Sequence, residues 1–305
     1  MPYSISKPYK HENSLLKLCG LGVLLPLFGS VLSVMVLHGW RMEHVVGHAF
    51  LEALGGFTAL LVVTLIYANQ ASTQLKRSEI TWIATALLSM GVLDFSHAIV
   101  PPGNNFVWLH STATMVGGVF FGGIWLSNIL KNKIKWLPLV ICALSICLAT
   151  WSLQIPNDVP RMLSSDGEFS LLARLLNIGG GLGFIAGCLY LYQRYQKTNR
   201  KDYFLLAVHC LLFGMAGILF ELSELWDAAW WWWHALRFGA YVVLAIFFIR
   251  GVLGKIITNK ERKQFSFPKQ ILAGATLLTI LAFGWIVHNI FQQHEMLQNI
   301  QNVSI

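Results

Sequence analysis

The stretch Gly91–His110, GVLDFSHAIVPPGNNFVWLH, decides how the rest of the chain is read. It joins the end of one apolar run to the start of the next. The joint is PPGNN, a turn of residues that break helices and tolerate tight backbone geometry. Asp94, His97 and His110 flank that turn, inside segments otherwise apolar enough to span a membrane. Ionisable groups in hydrocarbon are costly, so by default they mark a functional site. Asp94 and His97 are three apart and share a helix face, and His110 lies about one turn into the next helix at a similar depth. The reading then depends on whether other helices aim matching groups at the same level.

Composition sets the setting. The chain has 305 residues, 55% hydrophobic and only 12% charged, with a mean hydropathy of +0.59. A soluble globular protein carries about twice that charge fraction. The expected fold is therefore an all-α integral membrane protein, a polytopic bundle of about nine transmembrane helices. The net charge of +8 needs no nucleic acid, because Lys and Arg concentrate in cytoplasmic loops. No nucleic-acid-binding pattern accompanies it. Cys19, Cys142, Cys147, Cys188 and Cys210 fall in apolar runs without CxxC spacing, so they read as small buried hydrophobes. The first apolar run is too long for a signal-peptide core and reads as a retained helix.

Spans are expected near 15–38, 48–68, 80–99, 106–130, 135–154, 169–193, 203–226, 230–250 and 269–291. The organisation that follows is a cytoplasmic tail (1–14), an eight-helix bundle (15–250), a basic cytoplasmic loop (251–268), a ninth helix (269–291) and a polar external tail (292–305). Every second loop is basic: Lys7, Lys10 and Lys17 at the start, then Lys76 with Arg77, Lys131 to Lys135, RYQKTNRKD, and RGVLGKIITNKERK. The alternate loops are poor in Lys and Arg. The N-terminus is thus expected in the cytoplasm and the C-terminus outside, with the lipid bilayer as first partner. Such a bundle also allows a homo-oligomer.

Trp230 to Trp233, with Trp226, Trp108 and Trp40 at similar depth, read as an interfacial belt, or alternatively as a ligand-stacking cage. Gly55-Gly56, Gly117-Gly118, Gly122-Gly123, and Gly179 to Gly181 with Gly183 read as helix-packing surfaces. No phosphate-binding pattern is present.

Nearly all the ionisable residues of the spans then fall in their outer third, with His209 near the inner end of the seventh helix as the exception. The second helix carries His48 and Glu52, the third Asp94 and His97, the fourth His110, and the sixth Arg174. The seventh carries Glu221 and Glu224, and the eighth His234 and Arg237. Four helices bear pairs at helical spacing, which stacks two side chains toward one neighbour. A polar chamber opening outward is expected. His48, Glu52, Asp94, His97, His110 and His234 are the candidate ligands, with Arg174, Glu221, Glu224 and Arg237 around them. Imidazole and carboxylate without thiolate suit Zn, Cu or non-haem Fe. His97, His110 and His234 are the foremost metal ligands, and Asp94 a fourth ligand or an orienting acceptor. Haem between facing histidines is a less favoured alternative. The competing explanation is a structural network of His–carboxylate and Arg–carboxylate pairs. His38, His44 and His288 read as solvated, and His209 as a buried, hydrogen-bonded histidine.

Three segments resemble a known family: HAFLEALGGFTALLVVTLIYANQ, LLSMGVLDFSHAI and WWWWHALRFGAYVVLAIF. They are similar to the third class of bacterial membrane-associated sensor domains, which has an H-x3-E, a G-x-x-D-x-x-H and a W-H. Here these are His48 and Glu52; Gly91, Asp94 and His97; Trp233 and His234. The resemblance spans roughly residues 15–250. It implies a sensory input module, in that family usually fused to a histidine kinase, a diguanylate cyclase or PAS domains, and it supplies no ligand. No kinase, cyclase or PAS sequence follows in this chain, so a catalytic role is not expected of it. The output is expected either from a partner or from a continuation of a longer receptor. Two other functions compete. A membrane metallohydrolase would use a zinc held by His and Asp, although no HExxH is present. A haem-carrying redox subunit would use paired histidines. A carrier would hold its polar groups at the midplane and not near one face.

Overall fold

The computed structural model describes residues 13–68, 70, 75–130 and 134–257, with 252–257 described by backbone alone. Among the described residues eight helices are long and apolar enough to cross a membrane. We number them α1 (Ser14–Met35), α2 (Val45–Ala68), α3 (Arg77–Ala98), α4 (Asn104–Leu130), α5 (Leu137–Gln154), α6 (Leu171–Thr198), α7 (Lys201–Leu222) and α8 (Ala228–Ile257). The expected ninth helix, the basic loop before it and the tail after it, with His288, lie outside the described residues, as do Lys7, Lys10, Lys131 and Lys133. No strand forms among the described residues beyond two isolated β-bridges, Arg41 with Asp227 and Leu163 with Phe169.

Local chemistry fixes the helix ends. Ser170 caps α6 by accepting from the Ala173 amide at 3.2 Å, and Asn199 ends that helix in the left-handed conformation at φ 54°. Asp227 opens α8 by accepting from the Trp230 amide at 2.6 Å. Between α3 and α4, Pro101 and Pro102 end one helix, and Gly103 takes φ 154°, ψ −161°, a conformation open essentially to glycine alone.

Six helices close into a ring. In order around it, α2 packs on α3, α3 on α4, α4 on α6, α6 on α7, α7 on α8, and α8 back on α2. Helix α5 lies outside against α3, and α1 lies outside against α7 and α8. The lipid-facing surface is apolar, with Phe28, Ile129 and Leu171 among its exposed side chains. Small residues set the tightest contacts, as the sequence suggests. A Cβ on Gly118 of α4 would come within 2.0 Å of the Gly180 carbonyl oxygen of α6, and one on Gly183 within 2.4 Å of the Gly118 oxygen. Backbones this close make dense van der Waals contact in lipid, where no hydrophobic force drives helices together.

Alternate loops gather at opposite ends. At one end Asn104 donates to the Pro160 carbonyl at 2.9 Å and the Met42 amide donates to the Trp226 carbonyl at 3.1 Å, tying four loops together. At the other, Lys76 donates to Asn128 at 2.8 Å. The basic loops are at this second end, which we call the basic end.

Two expectations need correction. The seventh helix stops at Leu222, so Glu221 and Glu224 do not form a pair on one helical face. The chain turns extended at Ser223 and takes a left-handed turn at Trp226, φ 71°, before α8. Ionisable burial is also not confined to one end. Glu79 is fully buried in the first turn of α3 at the basic end, where it accepts from Tyr190 and Tyr203 hydroxyls at 2.7 Å each and pairs with Arg194 at 3.2 Å. These residues fall just outside or at the edges of the expected spans, which is why the sequence reading overlooked them. The five cysteines are free thiols, but only Cys188 and Cys210 are buried; Cys19 and Cys147 are exposed.

Candidate functional site

The six candidate ligands do converge. His48, Glu52, Asp94, His97, His110 and His234 are all buried, from 1% to 5% exposed, and Arg237 joins them at 4%. Helical spacing does the aiming. His48 and Glu52 occupy one face of α2, Asp94 and His97 one face of α3, and Trp230, Trp233, His234 and Arg237 one face of α8 at i, i+3, i+4 and i+7. His110 comes from α4 across the PPGNN turn.

The cluster has two halves. In the first, Arg237 is the hub. Its Nη2 donates to both Asp94 carboxylate oxygens at 3.0 Å, and its Nη1 lies 2.8 Å and 3.1 Å from the His110 ring nitrogens and 3.9 Å from Glu52 Oε1. One guanidinium nitrogen thus bridges both oxygens of a buried carboxylate while the other reaches His110, a division of contacts that Arg can make and Lys cannot. His110 therefore faces a guanidinium.

The second half holds His48, Glu52, His97 and His234. Each offers one ligand-type atom, and these four atoms lie within 4.8 Å of one another. His234 Nε2 is 3.1 Å from Glu52 Oε1 and 3.1 Å from His48 Nε2. Its Nδ1 lies 2.7 Å from the Trp230 carbonyl oxygen. A carbonyl only accepts, so Nδ1 carries the proton. His97 Nδ1 likewise donates to the Phe106 carbonyl at 2.7 Å. That leaves His97 Nε2 as a bare lone pair. It is buried and has no hydrogen-bond partner among the described residues. A lone pair in this state costs about 1–3 kcal/mol.

Aromatic rings wall the cluster. Trp233 stacks on His234 with centroids 3.7 Å apart, Trp230 lies 3.9 Å from the same ring, and Phe106 lies 4.0 Å from His97. Trp230 and Trp233 are 1% and 2% exposed. They are site walls and not an interfacial belt, because their helix face turns into the ring. Trp231 and Trp232 are only partly buried and donate to the Met42 and Pro26 carbonyls. The cluster is also closed, where the sequence reading expects a chamber open to the outside. Trp226, 7% exposed, sits 5.8 Å from His48 and helps to close it.

The outer acidic and basic residues belong elsewhere. Arg174 pairs with Glu221 and lies 3.8 Å from Glu168, and Arg41 pairs with Glu224. All are half-exposed or exposed, so these residues form a surface network above the cluster and do not contact it. His44 accepts from the Gly47 amide at 2.8 Å in an exposed turn. His209 is buried deeper among Phe121, Phe213 and Tyr241.

Among the described residues, six apolar helices around a buried histidine and carboxylate cluster, with two more packed outside them, define a multi-pass membrane protein. The chain belongs to the membrane-associated sensor domain family MASE3, whose match runs over residues 40–255. It is a membrane sensory module of the inner membrane. The match begins after α1, so the shared core is α2 to α8, the helices that carry every member of the cluster. No curated protein matches the chain, and no solved structure does.

Proposed function

We propose that this domain senses through one transition metal ion held by His48, Glu52, His97 and His234. The observation that carries this reading is His97 Nε2. It is a buried lone pair, fixed in direction by the bond from Nδ1 to Phe106, with three further donors beside it. A structural network usually pairs such a nitrogen, and this one is in addition one of four ligand-type atoms that meet within 4.8 Å. A cation satisfies it together with His234 and His48. Donors around a metal at ~2.1 Å stand about 3.4 Å apart, so the quartet needs only a small contraction. Zinc, copper and iron all suit three imidazoles and a carboxylate. Arg237 and Asp94 neutralise one another beside it, and Trp230 and Phe106 act as the outer acceptors that fix the imidazole tautomers.

Haem has less support, since the voids flanking the histidines are about 10 Å3 each. A hydrolase has less support as well, since its water would have to pass the tryptophan cover.

The alternation of basic loops supports a position of the cluster near the outer face. The four donors come from α2, α3 and α8, so binding would draw three helices together and bias their cytoplasmic ends. A histidine kinase or diguanylate cyclase, in the same chain or as a partner, would receive that change. The test is elemental analysis of protein purified in detergent, alone and after supply of zinc, copper or ferrous iron. About one ion per chain is expected, lost on His97→Ala. Protein that retains no metal under any supply, or whose metal content His97→Ala leaves unchanged, refutes the reading.

A further inference from the structure

Two pockets meet on the flank of the bundle, where α1 lies against α8 at the end opposite the basic loops. The first is an apolar groove of about 500 Å3. Leu25, Phe28 and Leu32 of α1 form one wall, and Trp231, Trp232 and Ala235 of α8 the other. Several of its donors are already spent: Ser33 Oγ on the Gly29 carbonyl at 2.8 Å, and the indoles of Trp231 and Trp232 on the Met42 and Pro26 carbonyls. Walls of this kind take hydrocarbon and leave a polar occupant unsatisfied.

The second is a polar pocket of about 480 Å3, nearer the loops. Arg41 and Arg174 line it with Glu168, Glu221, Glu224 and Asp227, so carboxylates outnumber guanidiniums by two. Arg41 pairs with Glu224 and Arg174 with Glu221, which leaves Glu168 and Asp227 as the surplus. The Glu224 and Trp230 amides fix the Asp227 carboxylate at 2.8 Å and 2.6 Å. Ser33, Leu37, Trp40 and Ala228 line both pockets, so the two adjoin. Trp40, at the junction, is a side chain of the type that sits where hydrocarbon gives way to headgroups.

We propose that the joined pockets hold one phospholipid whose head carries a primary ammonium. An acyl chain fills the groove and the head fills the polar pocket. The three N–H donors of the ammonium answer the surplus carboxylates, and the arginines, each with five donors, answer the phosphate. A head of net negative charge meets the excess of carboxylate, and a quaternary head brings no N–H donor. No member of the metal quartet lines either pocket, so the proposal is independent of the metal reading. The lipid would tie α1, which lies outside the family match, to the helix that carries His234 and Arg237.

The test reconstitutes the full chain in vesicles of phosphatidylethanolamine, phosphatidylcholine and phosphatidylglycerol in equal parts. The protein is re-extracted in mild detergent and its retained lipid identified by native mass spectrometry. About one phosphatidylethanolamine per chain is expected, favoured over phosphatidylglycerol by about tenfold, the scale of one or two half-exposed charge contacts. Glu168→Gln with Glu221→Gln makes carboxylates and guanidiniums equal in number and is expected to abolish the preference. Ala235→Phe fills the groove and is expected to lose lipid of every head. All three positions are exposed, and circular dichroism checks that the variants are folded. Equal retention of the three lipids by wild type, or a preference for either of the other two, overturns the head assignment, as does a double variant that keeps the wild-type preference. Ala235→Phe with wild-type lipid content overturns the placement. Wild type that retains no lipid, the outcome if residues 269–291 or a second copy of the chain cover the groove, overturns the site.

Discussion

Replacing His97 with phenylalanine separates a metal site from a structural network. Without metal, His97→Phe deletes the bond from Nδ1 to the Phe106 carbonyl, a loss of about 1 kcal/mol. It also deletes the unpartnered Nε2, which stabilises by about 1–3 kcal/mol. The larger ring brings a packing cost of up to about 1–3 kcal/mol, eased by the void beside it. These contributions nearly cancel, so the metal-free variant is expected within about 2 kcal/mol of metal-free wild type.

With metal the two diverge. An ion at 100 times its dissociation constant stabilises wild type by about 2.7 kcal/mol. At about 2–4 °C per kcal/mol for a chain of this size, that is a rise in Tm of roughly 5–10 °C. His97→Phe lacks one of four donors and is expected to show almost none of it. The assay is thermal unfolding in detergent, read by tryptophan fluorescence, with chelator and with saturating metal. An equal metal-induced rise in both proteins refutes the role of His97. A metal-free variant more than about 4 kcal/mol weaker than metal-free wild type refutes the argument from the bare lone pair, since it would show Nε2 to be satisfied without metal.

Three other outcomes follow from the packing. Arg237→Met leaves Asp94 and Glu52 buried without their cation and is expected to cost about 3–5 kcal/mol, seen as a large loss of Tm or of folded yield. Arg237→Lys is expected to recover only part of it, because one ammonium cannot hold both Asp94 oxygens and His110. Glu79→Ala strips Arg194, Tyr190 and Tyr203 of their shared acceptor and is expected to cost a similar amount at the far end of the bundle, whereas removing the exposed Arg41–Glu224 pair is expected to change Tm by less than its scatter, about 1 kcal/mol or below. Gly118→Ala is expected to lower Tm strongly, its Cβ meeting the Gly180 backbone at 2.0 Å, while Gly239→Ala, with nothing within 4 Å, is expected to leave it unchanged or raised.

Much of this architecture is legible in the sequence. Long apolar runs placed eight helices within a few residues, because backbone groups in lipid must be satisfied within the helix. Pairs at helical spacing aimed His48 with Glu52, and His234 with Arg237, at a common point, and the ring brings them there. Three things were not legible. The role of Trp230 and Trp233 was hidden in a run of four tryptophans, although their spacing to His234 and Arg237 puts all four on one face. The partition of Arg237 to Asp94 and His110, and of His97 to the quartet, depends on side-chain reach across the ring, which periodicity does not encode. Glu224 was placed on a helix that ends before it, because a left-handed turn at a tryptophan has no sequence signal.

The hydrogen-bond directions tie metal to protons. His234 donates through Nδ1 to Trp230, so its Nε2 holds either a lone pair or a second proton. With no cation present, a lone pair facing the Glu52 carboxylate at 3.1 Å would be repulsive. The metal-free cluster is therefore self-consistent when one proton is shared between His234 Nε2 and Glu52 and Arg237 is paired with Asp94. A metal ion takes the same Nε2 lone pair, so it must displace that proton. The sign follows: apparent metal affinity rises as pH rises while that shared proton must be removed, and each ion bound releases a proton. A structural network predicts no such exchange, because nothing displaces its proton. Calorimetry of metal binding in two buffers of different ionisation heat reads the number released, and zero protons over the range from pH 6 to 8, where free imidazole is about half protonated at ~6.5, would rule this exchange out.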